Sequence, residues 1–162
     1  MDDPSHMEWG ARIRMRARKP ASQLKEIPAA ECWELLGRHD MGRIAIVVDG
    51  KPQIFPVNYG LRGTVIVFRT AAGTKLAYAP QSPVAFEVDE YDASAGAGWS
   101  VMVQGFGRDV TEAADDFSWT ARGARVHPAA PGDKLHMVAI DPTHISGRRF
   151  GPANAGTGSE TG

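Results

Sequence analysis

The chain has 162 residues, 43% of them hydrophobic and 23% charged, with a formal net charge of −1. That length suits one domain with one buried core, and the composition excludes an intrinsically disordered chain. The near-neutral balance gives no general attraction for nucleic acid, and no apolar run reaches the roughly 20 residues that a membrane-spanning helix needs. The start, Met1-Asp2-Asp3-Pro4, lacks the plan of a secretory signal, and a single cysteine, Cys32, forms no internal disulfide. Both features place the chain in a reducing cytoplasm.

Residues 1–23 read as a basic arm, with Arg12-Ile13-Arg14-Met15-Arg16-Ala17-Arg18-Lys19 closed by Pro20. Like charges at this density resist packing, so the arm is either solvated or laid over a phosphate-bearing ligand or an anionic partner; if extended, its period of two puts every arginine on one face. The folded domain is expected over 24–150. Pro28 opens a short helix in which Cys32, Leu35 and Leu36 share a face and Gly37 is the stop. Cys32 reads as a small buried hydrophobe rather than a nucleophile.

After Gly42 the period changes to two. Arg43–Val48 and Gln53–Tyr59 read as hairpin strands around Asp49-Gly50, with Pro56 placing the second strand near an edge or bulge. Thr64–Thr70 is a third strand and Pro83–Asp89 a fourth, followed by a glycine-spotted loop (Ala93–Gly98) and a strand from Trp99 to Val110. Thr111 is placed to cap a helix running to about Ser118. Leu135–Ile140 reads as the last main strand, with an extension over Thr143–Phe150. The polar tail, 151–162, is expected to be disordered. Short strands at roughly ten-residue spacing without βαβ alternation predict a mainly β barrel or sandwich and exclude a Rossmann fold.

One segment carries a chemical signal. Phe68-Arg69-Thr70-Ala71-Ala72-Gly73-Thr74-Lys75 supplies two cations, two hydroxyls and a small-residue turn able to converge on one anion. A guanidinium bonds phosphate with two parallel N–H groups, hydroxyls fill the remaining oxygen directions, and Gly73 permits close backbone approach. An ordinary basic turn is the competing reading. It is not a P-loop, because the earlier glycine is missing and Leu76 follows the lysine.

The ordered blocks Met41-Gly42-Arg43-Ile44-Ala45, Pro56-Val57-Asn58-Tyr59, Val67-Phe68-Arg69-Thr70, Gly73-Thr74-Lys75-Leu76, Ala85–Asp89, Gly98–Val101 and Ile145–Arg149 resemble the pyridoxamine 5′-phosphate oxidase-like, FMN-binding split-barrel superfamily. The likeness is strongest to its small actinobacterial members and covers about Ala29 to Phe150. It implies a six-stranded antiparallel split β-barrel with a few short helices, paired as a homodimer with flavin (FMN or FAD) at the interface. On that resemblance Arg69, Thr70, Gly73, Thr74 and Lys75 hold the flavin phosphate, and Pro56, Val57, Asn58, Val67 and Phe68 line the ring. Trp99 and Ser100 approach from a neighbouring strand or subunit, where Trp99 is either a ligand face or simply structural. Arg148 and Arg149 either touch phosphate or stand solvated at a strand end.

The resemblance leaves catalytic residues unassigned. It admits a flavin-dependent oxidoreductase or a flavin-sequestering protein, with F420 as the alternative cofactor and a haem-binding barrel behind it. The chain lacks the longer C-terminal substrate segment of true pyridoxamine phosphate oxidases, so vitamin B6 oxidation is not expected. Its five histidines are scattered, which argues against a zinc site or a histidine dyad. Glu87, Asp89, Glu90 and Asp92 read as one solvent face and no metal is expected there.

Overall fold

The computed structural model describes residues 22–127 and 136–152. Seven strands and three short helices follow one another as β1 (Ser22–Ile27), α1 (Ala29–Gly37), β2 (Met41–Val48), β3 (Lys51–Arg62), β4 (Val65–Thr70), α2 (Thr74–Tyr78), β5 (Pro83–Asp92), β6 (Ala97–Asp109), α3 (Asp116–Arg122) and β7 (His136–Pro152). All strand pairs are antiparallel. Six of them close a ring in the order β7-β4-β3-β2-β5-β6 and back to β7. The seventh strand, β1, was not expected from the sequence. It pairs with the second half of β7, from Ser22 opposite Pro152 to Ile27 opposite Gly147.

The split follows from β7. Its first residues, His136–Ile140, lie between β4 and β6, while Gly147–Pro152 lie between β1 and β6. The sequence had divided this strand at Asp141-Pro142; instead the chain stays extended, and a register shift at Gln104/Gly105 of β6 absorbs the irregularity. Gly151 and Pro152 therefore belong to the last strand rather than to the tail. Of the expected arm, Ser22 and Gln23 belong to β1; its remainder, with the basic run, and the remainder of the expected tail lie outside the described residues.

Local chemistry explains the turns. Asp49 and Gly50 both have positive φ, 51° and 75°, as a two-residue hairpin turn requires. The expected helix after Thr111 starts later, because Asp115 is the cap: its carboxylate accepts from the Ser118 backbone N–H at 3.1 Å and from the Ser118 hydroxyl at 2.7 Å. Thr111 does other work. Its hydroxyl donates to Asp109 and accepts from the Met137 N–H, tying β6 to β7.

Alternation buries one face of each strand in the barrel. Ile44, Ile66, Phe68, Phe86, Val101, Val103 and Ile140 are closed off from solvent, with Tyr59 edge-on to Phe86 at 4.8 Å. The Tyr59 hydroxyl donates to the Leu36 carbonyl at 2.6 Å, which fixes α1 over the barrel, and burial pushes this phenol's pKa up. Cys32, Leu35 and Leu36 of α1 are buried as their spacing predicted. A second, smaller core lies beneath α3, where Val67, Val110, Ala121 and Ala139 meet. β4 is thus covered on both faces: Ile66 and Phe68 point into the barrel and Val67 under α3. Beyond α2, Gln81 and Ser82 exchange backbone hydrogen bonds with Gly107 of β6 at 2.7 and 3.0 Å. A Cβ on Gly107 would collide with the Ala79 carbonyl, so a glycine is needed for this approach, which seats α2 and the turn before it.

Candidate functional site

The turn from β4 into α2 and the adjacent stretches of β2 and β3 enclose a cavity of about 400 Å³. Its walls are Pro56, Val57 and Asn58 of β3, Met41 of β2, and the continuous run Arg69 to Lys75. Eight of the fourteen residues singled out from the sequence are therefore brought together: Pro56, Val57, Asn58, Arg69, Thr70, Gly73, Thr74 and Lys75. The run Arg69 to Lys75 is thus concave toward β3.

Its electrostatics are one-sided. Among the described residues no carboxylate lines the cavity, and neither Arg69 nor Lys75 forms an ion pair. The Lys75 ammonium instead rests over the Phe55 ring, 5.0 Å from its centroid. A cation–π contact of this kind contributes about 0.5–1 kcal/mol at an exposed site; a phosphate that forms a charge-assisted bond to the lysine would outweigh it. The turn is shaped by Gly73, whose φ of 149° and ψ of −162° are open to glycine alone, with clear space where a Cβ would stand. The first turn of α2 has no side-chain cap. Thr74 is exposed, whereas Thr70 is buried and its hydroxyl donates to the Ala71 carbonyl at 3.0 Å. Asn58 donates from Nδ2 to the Asp40 carbonyl at 3.3 Å, which orients the amide along the cavity wall.

Val67 and Phe68 do not line this cavity. Both side chains are fully buried, one beneath α3 and one in the barrel, so only their backbone remains for a ligand. Met41 was missed as a wall; the signal available was its register opposite Asn58 across the β2–β3 hairpin.

The four remaining residues separate by strand alternation. Ser100 and Arg148 face each other on the outer side of the sheet, in a row with Asp89. That outer side also carries Pro56, Arg43, Glu87 and Met102 in register across four strands. Trp99 and Arg149 point the other way, into a second cavity of about 470 Å³ at the split end, walled also by Lys25 and Gln23 of β1 and by Glu90 and Asp92 of β5. The acidic run therefore does not form one face. Glu87 and Asp89 hold Arg43 at 2.8 and 2.5 Å on the outer face, while Glu90 and Asp92 turn inward. The pairing with Asp89 and Glu87 raises the Arg43 pKa; desolvation, the largest influence on Glu87, moves its carboxyl above the usual range despite Arg43. Asp92 is held below the ordinary range by the Ser94 hydroxyl and the Ala95 and Ser94 N–H groups.

The outer face is unusually apolar. Eight large apolar side chains stand exposed among the described residues, and Met41, Val47, Ile54, Met102 and Phe106 lie together on this face. Between them runs a groove walled by Ala45, Pro52, Pro83, Ala85 and Gln104. The cavity with Arg69 and Lys75 opens at the edge of this patch, through Met41, Pro56 and Asn58.

The chain resembles several known proteins. The chain is 30% identical over 144 residues to the uncharacterized protein Rv0080 of Mycobacterium tuberculosis, covering 85% of this chain and 92% of that one. Its fold overlays the FAD binding protein of Mycobacterium smegmatis with a TM-score of 0.59 at 35% identity, over 79% of this chain and 99% of that one. A conserved protein of unknown function from Corynebacterium diphtheriae overlays with a TM-score of 0.63 at 28% identity, over 78% and 98% of the two chains. The family model described as pyridoxamine 5′-phosphate oxidase matches residues 28–149, from the start of α1 into the second half of β7 and including the cavity turn. On fold, register and matched sequence together, the chain belongs to the pyridoxamine 5′-phosphate oxidase family of split β-barrels.

Proposed function

We propose that this chain is a flavin-binding protein that holds the flavin phosphate between Arg69 and Lys75. The observation that carries the reading is the acid-free cavity: two cations without carboxylate partners, a glycine-only turn and the Thr74 hydroxyl converge on a volume that suits an anion. The flavin fits these residues better than a bare anion would, because the cavity continues along Pro56, Val57 and Asn58, where an apolar wall and one amide meet a flat heterocycle with polar edges. The similarity to an FAD binding protein supports the flavin and leaves FMN and FAD as the two candidates.

When bound, the flavin supplies hydride and electron chemistry that no protein side chain provides. The protein's part is to fix the phosphate, orient the ring edge through Asn58 and exclude water. The apolar outer face serves the last of these. It lies beside the cavity, and we take a second copy of the chain to cover it, so that the working unit is a homodimer in which each copy covers the other's flavin. Ser100 and Arg148 stand on that face and would be presented to the partner's ligand. With its one cysteine buried and no helix among the described residues long and apolar enough to cross a membrane, we place the protein in the cytoplasm.

The test is direct. Protein purified after growth is heated, and the released ligand is identified by mass; FMN or FAD is the expected product. Recovery of F420, of haem, or of no ligand after soaking with both flavins overturns the reading. Anaerobic mixing with NADH, NADPH or reduced F420 then separates the two roles. Bleaching of the flavin by any of them assigns an oxidoreductase; a flavin that stays oxidised assigns a carrier.

A further inference from the structure

We propose that the cavity at the split end is a second ligand site, for an aromatic zwitterion: a flat ring with an acidic group at one end and a protonated amine at the other. Its floor is Trp99, which is nine-tenths buried and braced by the His39 ring at 5.1 Å, so the indole is held in place before any ligand arrives. Its volume of about 470 Å³ lies in the range of small-molecule sites, and it sits on the inner side of the sheet, separate from the residues that line the flavin cavity.

The charges at its rim select the ligand. Glu90, Trp99, Arg149 and Lys25 form one row across β5, β6, β7 and β1, which sets Glu90 and Lys25 three strand spacings apart, about 14 Å at the backbone. Two of the four rim charges are already committed. Arg149 donates to Glu31 at 2.7 Å, and one Asp92 oxygen accepts three bonds from Ser94 and Ala95. The other two are not. Lys25 forms no ion pair among the described residues, and Glu90 meets His39 only at 3.7 Å, beyond hydrogen-bond reach. What remains is one cation and one anion on opposite walls of an aromatic floor. A ring that lies against the exposed edge of Trp99 with its acid toward Lys25 and its amine toward Glu90 satisfies all three. A simple anion would meet Glu90 unfavourably, and a simple cation would meet Lys25.

The experiment follows the indole Nε1–H signal of Trp99, assigned with W99F, as 4-(aminomethyl)benzoate is added to the ¹⁵N-labelled protein. A saturable shift is expected, with binding roughly fivefold weaker for benzoate or benzylamine alone and for K25A or E90Q with the zwitterion. The R69A/K75A double variant should bind the zwitterion unchanged, which keeps this site independent of the flavin reading. The proposal is overturned if the signal does not saturate by millimolar probe, or if K25A and E90Q respond like the native chain. Equal binding of benzoate would also overturn it, since that would reduce the site to an anion sink.

Discussion

The two cavities are close in volume, about 400 and 470 Å³, and both are cut into one small barrel, yet their charges are arranged in opposite ways. At the β4–α2 turn the described residues supply two cations and no acid. At the split end there are two cations and two acids on facing walls. A formal charge of −1 describes neither. The lesson is that ligand chemistry is set by which side chains a turn or a strand row brings within a few ångströms, not by the sum along the chain.

The largest expected effect breaks the cationic member of the pair. Replacing Arg69 and Lys75 together with alanine removes two charge-assisted bonds of about 1.5–3 kcal/mol each, a loss on the order of 10²- to 10⁴-fold in FMN affinity. Riboflavin, which lacks the phosphate, should bind both proteins nearly alike, and titration calorimetry with the two ligands checks this. A second change tests which cavity a partner copy shields. Ile54→Asp removes an exposed side chain from the outer patch, and its lost burial of about 1.5–3 kcal/mol should shift the mass measured by light scattering toward the monomer. Flavin dissociation should then accelerate while the split-end cavity is unaffected.

A third sharpens the backbone difference. Gly73→Val forces a β-branched residue into a conformation open only to glycine, at about 1–3 kcal/mol. Thermal unfolding should show a lower midpoint, and FMN should bind more weakly. The smallest effect uses acid. The Asp92 carboxyl is held below its ordinary pKa by the Ser94 hydroxyl and by backbone N–H groups. Such a group contributes stability above its unfolded pKa and loses it as pH falls through the depressed value. Protection of the Ser94 and Ala95 amides, taken as exchange relative to the intrinsic rate at each pH, should therefore fall in that acid range, while the amides of Gly73 and Thr74 show no matching step, since no carboxylate of the described residues lines their cavity.

How much of this was legible beforehand divides by element. The hairpin at Asp49-Gly50, the helix with Cys32, Leu35 and Leu36 inward, and the β4–α2 turn are local, and local chemistry announced them. β1 was missed because Gln23, Lys25 and Glu26 carry no apolar period; the strand exists through pairing with β7, a partner more than a hundred residues away. The helix assigned to Thr111 moved to Asp115 because two caps competed and the threonine hydroxyl was claimed by Met137 of a distant strand.

The same division holds for the sites. The sequence by itself determined the cationic turn, since Arg69 to Lys75 is one continuous stretch whose chemistry needs no partner to be read. The family resemblance supplied Pro56, Val57 and Asn58 as its neighbours; the tertiary structure decided the rest. Strand alternation sends Trp99 and Arg149 to one side and Ser100 and Arg148 to the other, and double coverage of β4 withdraws Val67 and Phe68 into the two cores. Facing direction in a closed sheet depends on register and on what packs above and below. Those are set by contacts between strands far apart in the chain, which no local pattern records.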